Sequence, residues 1–142
     1  RQWDQAKRLL ASQDNLPAGL RPLVGELVDA IADPARRPAV VAVLQSLDPQ
    51  VATQGDLLMP YLLLEQYDLV YRILNQSLDR DPMSWSKGWD MMHAWSVDAA
   101  AFRRDPRFAK LAERLDLIDY WKQYGYPDSC RAGAGDVALV CS

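Results

Sequence analysis

The stretch Leu57–Leu78, LLMPYLLLEQYDLVYRILNQSL, decides how this chain is read. Two apolar segments flank a short polar joint at Glu65, Gln66 and Tyr67. Residues 57–64 are apolar nearly all round, the composition of a helix enclosed by protein and not laid on a surface. Pro60 falls inside that segment, and a proline in a helix interior removes a donor and breaks the helix. The conflict disappears if Asp56 caps the helix, because Pro60 then lies in the first turn. Asp68 is placed to cap the second helix by accepting from its free amides. In that helix Leu69 and Ile73, Val70 and Leu74, and Leu74 and Leu78 are spaced i, i+4, one continuous stripe. Helices joined this tightly are expected to lie antiparallel. Leu62, Ile73 and Leu74 are expected in the central core.

The text on either side is also helical. Gln2–Ala11 is expected to bury Trp3, Ala6, Leu9 and Leu10. The segment NLPAGLRP breaks that helix with Pro17, Gly19 and Pro22. A second helix over Leu20–Ile31 carries Leu20, Leu23, Val24, Leu27, Val28 and Ile31 at helical spacing. Gly25 costs about 1 kcal/mol there against alanine, which a close helix crossing would explain. Four Asp-Pro pairs follow. Aspartate suits an N-cap and proline the first helical position, so Asp48-Pro49, Asp81-Pro82 and Asp105-Pro106 mark helix starts. Asp33-Pro34 is less clean because Pro38 follows; that helix is expected to begin near Arg37 and turn Val40, Val41, Leu44 and Leu47 inward. From Asp48 to Asp81 is one helical-hairpin repeat of about 33–34 residues.

Further on, a short helix is expected over Val97–Phe102. Pro106–Leu115 is the clearest helix, with Phe108, Leu111, Ala112 and Leu115 inward. Ile118, Trp121 and Tyr120 dock a last short helix. Gly125 ends it in a left-handed conformation and Pro127 prevents its continuation. The expectation is an all-α chain of about eight or nine helices with no sheet, a tetratricopeptide-like array of antiparallel helical hairpins. It forms a single domain over residues 1–142, closed by an irregular tail over 125–142. Val137–Cys141 is the one β-like run and has no visible partner.

The chain is 49% apolar with five tryptophans and a net charge of −3. That composition excludes disorder and gives no general basic surface for nucleic acid or anionic lipid. No apolar run reaches membrane-spanning length, so no membrane contact is expected of this segment. The text opens at Arg1 without an initiator methionine and already reads as helix, so it is taken as a piece of a longer protein.

Candidate chemistry is sparse. Trp85, Trp89 and Met92 recur at i, i+4 and i+7. With Trp95 they offer an aromatic platform for a sugar, a base or a peptide, but the period favours a core stripe. Arg107, Lys110 and Arg114 share one helix face that would suit an acidic partner or simply face water. His93 is the only histidine. It could serve as a general base or pH sensor, yet a lone histidine beside Trp89 and Met92 is more often structural. Cys130 and Cys141 bracket a flexible loop. They form a disulfide if the domain faces an oxidising compartment, and are otherwise two unpaired thiols. Two thiols and a distant histidine fall short of a zinc site. Without a nucleophile–base pair, phosphate loop or metal cluster, neither enzymatic activity nor a cofactor is expected.

Two motifs carry a family resemblance. LLLEQYD resembles the L-G-x-Y-D element closing the first helix of a tetratricopeptide unit, with Glu65 in place of glycine. RRDPRFAKLAERLDLIDYWKQYGYPDSC, Arg103–Cys130, follows the order D-P-R-F, R-L-x-L, Y-W-x-x-x-G-x-P-D-x-C. It resembles the end of tetratricopeptide-type sensor regions in bacterial winged-helix transmembrane regulators and class III nucleotide cyclases. Asp116 stands where that pattern often has glycine. The resemblance covers about a quarter of the chain clearly and Gly55–Pro82 more loosely. It implies a non-catalytic module, sensing a ligand or binding a protein or peptide partner, in a signalling or transcription regulator whose full chain can be membrane-anchored. The winged-helix relatives imply a periplasmic or extracellular position, the cyclases a cytoplasmic one. The alternative function is a small-molecule or glycan-binding domain built on residues 85–95.

Overall fold

The computed structural model describes residues 2–14, 16–48, 55–80, 93–135 and 138–142. These residues form eight α-helices and one two-stranded antiparallel sheet. The chain divides into two compact units, Arg1–Ile73 and Leu74–Ser142.

In the first unit, α1 is Trp3–Ala11, α2 Val24–Ala32 and α3 Arg37–Gln45. Helix α1 packs on α2, and α2 on α3. Leu20, Val24, Val28, Val40, Val41 and Leu44 are buried between them, following the helical period of the sequence. Helix α1 departs from expectation. It fully buries no residue, and Leu9 and Leu10 are 56% and 39% exposed. At 3.6 residues per turn, Trp3, Ala6 and Lys7 share one face, and Lys7 bonds Asp29 of α2 at 2.5 Å. Leu9 lies to one side of that face, and Leu10 is at the end of the helix. Gly25 shows no close crossing: a Cβ placed there meets nothing within 4 Å. Asp33 accepts from the Ala35 amide at 3.1 Å and caps a 3₁₀ turn, Pro34–Arg36, that runs directly into α3.

Helix α4, Leu58–Leu63, has Pro60 in its first turn, as the sequence requires. Its N-cap is Leu57, without a side-chain capping bond, and not Asp56. The joint after α4 is a Schellman motif. The Glu65 amide donates to the Leu62 carbonyl at 3.1 Å and the Gln66 amide to that of Tyr61 at 2.8 Å. Glu65 takes φ +59° to close it. The next helix, α5, is Tyr67–Arg80, so Asp68 lies inside the first turn and favours the amide-rich end of the dipole there. Leu62, Ile73 and Leu74 are all buried.

In the second unit, a 3₁₀ turn over Val97–Ala99 leads into α6, Ala100–Arg104. Helix α7, Pro106–Arg114, is capped by Asp105, which accepts from the Arg107 amide at 2.9 Å. Phe108, Leu111 and Ala112 are buried as the pattern demands, and Leu115 is half-buried. Helix α8, Leu117–Tyr124, buries Ile118 and Trp121 but leaves Tyr120 exposed. Gly125 ends it with φ +103° and ψ 147°, an extended positive-φ region almost restricted to glycine and not the left-handed helical one. The helix starts expected after Asp48 and at Asp81-Pro82 lie outside the described residues.

The expectation of no sheet is overturned. Strand β1, Cys130–Ala132, pairs antiparallel with β2, Leu139–Cys141, with Cys130 opposite Cys141. The tail is therefore regular in part. Three residues of Cys-Arg-Ala show no strand alternation; the pairing is imposed from outside the segment, by the bridge between the cysteines and by burial of Leu139.

Candidate functional site

The residues singled out from sequence fall in different environments. Trp85 and Trp89 lie outside the described residues. His93 is half-buried, and its carbonyl accepts from the Ser96 amide at 3.2 Å. Trp95 belongs to an aromatic cluster: it meets Phe108 and Trp121 edge-on, at centroid distances of 5.8 and 5.7 Å, and Phe108 meets Phe102 at 5.7 Å. Its geometry is that of packing, since edge-on contacts satisfy both ring quadrupoles.

The basic stripe of α7 is largely engaged. Arg107 forks onto Asp105, Nε to Oδ1 at 2.9 Å and Nη2 to Oδ2 at 2.6 Å. That pairing holds the Asp105 carboxyl below its usual range, with the cap bond from the Arg107 amide adding to it. Arg114 donates to Asn75 and, at 2.6 Å, to Asp79, both on α5. Lys110 is exposed.

The sequence reading passed over Arg103. It is 7% exposed, buried inside the second unit. Its guanidinium donates to the Ala94 carbonyl at 2.7 Å, to Ser96 at 2.8 Å and to Ser142 at 3.4 Å. Its Cζ lies 5.9 Å from the centre of the Trp95 ring. Burial pushes its pKa down, and the neighbouring charge of Arg104 adds to this. The Nε finds no acceptor. One side chain thus ties the turn before α6 to the end of β2. Nothing in the dipeptide Arg103-Arg104 says which arginine turns inward.

Cys130 and Cys141 are joined by a disulfide, with a Cα–Cα distance of 4.1 Å, and no cysteine is free. The bridge staples the hairpin beside α8. Between them is a half-open cleft of about 360 Å³. Helices α7 and α8 and the corner between them contribute Glu113, Asp116, Ile118, Asp119 and Lys122. The hairpin contributes Ala132, Gly133, Gly135 and Ala138, and Tyr126 lines the cleft from the link between the two. Tyr126 is anchored against Trp121, with ring centres 6.3 Å apart. Lys122 bonds Asp119 at 2.8 Å, and that carboxylate raises the lysine pKa. Asp116 is delivered to the cleft by the tight α7–α8 corner, where it takes φ +55° and its amide donates to the Glu113 carbonyl at 3.0 Å. The signal in the sequence was the Asp116 departure from glycine. The hairpin wall had none.

Among the described residues, no group of His, Cys, Asp and Glu side chains is arranged to hold a metal ion. No described helix is long and apolar enough to cross a membrane. The chain matches no family model, no curated protein and no solved structure.

Proposed function

We propose that this chain is a non-catalytic recognition module, a helical-hairpin array serving as the sensing or interaction part of a bacterial signalling or transcription regulator. The observation that carries the reading is the cleft between α8 and the stapled hairpin. Its volume lies within the range of ligand sites, and its lining mixes apolar walls with a few charged groups. Two local features support the array. Glu65 and Asp116 both take positive φ, and they occupy the two positions where the resembled pattern carries glycine. The function is recognition of a protein or peptide partner. A disulfide in the tail supports a periplasmic or extracellular setting, because such bridges persist in oxidising compartments.

The test is a peptide array of unbiased composition, probed with the wild-type chain and with an Ala132→Trp variant that fills the cleft. Circular dichroism would verify that the variant keeps its helices. Peptides held by the wild type are expected to be lost by the variant. Equal retention of the same peptides by both chains would show that recognition, if any, lies elsewhere.

A further inference from the structure

Resting on that reading, we infer that the cleft receives the cationic side chain of a basic peptide segment, an arginine or a lysine. Three carboxylates, Glu113, Asp116 and Asp119, line the cleft against a single ammonium, Lys122. Lys122 is committed to Asp119. The charge of Lys122 also acts on Glu113, so one ammonium is shared among three carboxylates and negative charge beside the cavity remains in excess. An anionic ligand would be repelled. The carboxylates are not arranged to share a metal ion. An organic cation on an apolar stem matches the remaining surface. Its methylenes lie against Ile118 and the alanines of the hairpin, and its charge meets the carboxylates and the face of Tyr126.

The cleft also argues for a peptide over a small free amine. It is half-open, so a small cation stays largely hydrated and gains little by binding. A peptide covers more surface around the anchored side chain, and Gly133 and Gly135 offer it backbone on the hairpin wall. The charge on the cleft and the charge on the segment then give specificity, while the neighbouring contacts give residence time.

The experiment titrates the full chain, oxidised, with a blocked hexapeptide, Gly-Ser-Arg-Lys-Ser-Gly, and follows amide shifts by NMR. The same peptide with glutamates for its basic residues, a serine-substituted neutral peptide and free agmatine serve as further arms. Shifts are expected at Gly133, Gly135 and Tyr126 with the basic peptide. A double variant, Glu113→Gln with Asp116→Asn, should weaken binding about tenfold or more while keeping the fold, because charge-assisted contacts are lost and asparagine tolerates positive φ. Raising the salt should also weaken it. Unchanged binding by the double variant would overturn the inference. So would agmatine binding as tightly as the peptide, which assigns the cleft to small cations. Equal shifts from the acidic or neutral peptide would refute the cationic ligand while leaving a recognition cleft standing. No cleft shifts from any of the four probes would refute the inference, and the peptide array would then decide the broader reading on its own.

Discussion

Asp116 and Glu65 show how one backbone angle shapes this chain. Each follows a helix by two positions and takes a positive φ that L-residues adopt at a cost. Glu65 also pairs with Arg37 at 2.7 Å, so replacing it changes two things together. Asp116 is the cleaner probe. Asp116→Gly is expected to be neutral or to stabilise by up to about 1 kcal/mol, whereas Asp116→Val should cost about 1–2 kcal/mol. Urea denaturation of the two variants checks this; a valine as well tolerated as glycine would mean the corner does not constrain φ. Asp105 makes a second prediction, from its charge. Its carboxyl pKa is lowered in the fold, first by the Arg107 hydrogen bonds. Its stabilising contribution is therefore complete above the unfolded value, about 3.9, and is lost as pH falls through the lowered folded value. Asp105→Asn keeps a capping oxygen but has no such proton to gain. Between about pH 5 and pH 2 the wild type should lose more stability than this variant. Parallel acid-dependence of the two chains would contradict the assignment.

Among the elements, the hairpin is the one least able to stand alone. Two strands of three residues form at most a marginal structure in water. Three things hold it here: the bridge, the buried Leu139, and the Arg103 bond to the Ser142 carbonyl. Arg103 also satisfies the carbonyls of Ala94 and Ser96. Removing its guanidinium strands the buried Ala94 carbonyl, at about 1–3 kcal/mol, and frees the part-buried Ser96 carbonyl at a smaller cost. Arg103→Met is expected to cost about 2–4 kcal/mol in the same account. Arg103→Lys should recover part of it, since an ammonium cannot fork to several carbonyls at once. Equilibrium unfolding followed by tryptophan fluorescence measures both, and a methionine variant within half a kcal/mol of wild type would show that the buried arginine is not what joins these segments.

For the molecule as a whole, the disulfide is the test of how the second unit is held together. Closing a loop of this length stabilises by about 3 kcal/mol in the loop-entropy account. Cys130→Ser with Cys141→Ser should lower urea stability by about that amount. Reduction of the wild type should do the same, and reductant should leave the double variant unaffected. If the double variant matched the oxidised wild type, the fold would owe nothing to the bridge. The same comparison bears on the cleft, one wall of which is the stapled hairpin.

Much of the fold was legible in the residue order because helices are local. Their periods, Asp-Pro starts and buried stripes involve residues three or four apart, so Val40, Leu44, Phe108, Leu111 and Trp121 could be assigned inward before any neighbour was known. The paired cysteines were legible too, as two thiols in a loop-rich tail. What lay beyond reach depends on partners distant in the chain. Leu9 and Leu10 have the composition of a buried face, but burial requires a neighbour opposite, and α1 is tied to α2 on the face that carries Lys7, which bonds Asp29. Cys130–Ala132 becomes a strand through its pairing with Leu139–Cys141 further along the chain, not through its own propensity. Arg103 turns inward because carbonyls from two separated segments, Ala94 and Ser96 on one and Ser142 on the other, converge on it. The cleft exists because the Asp116 corner and the hairpin are brought to the same side of α8. Periodicity follows from the nearest few residues, whereas burial, strand pairing and charge compensation are settled by whatever the folded chain brings alongside.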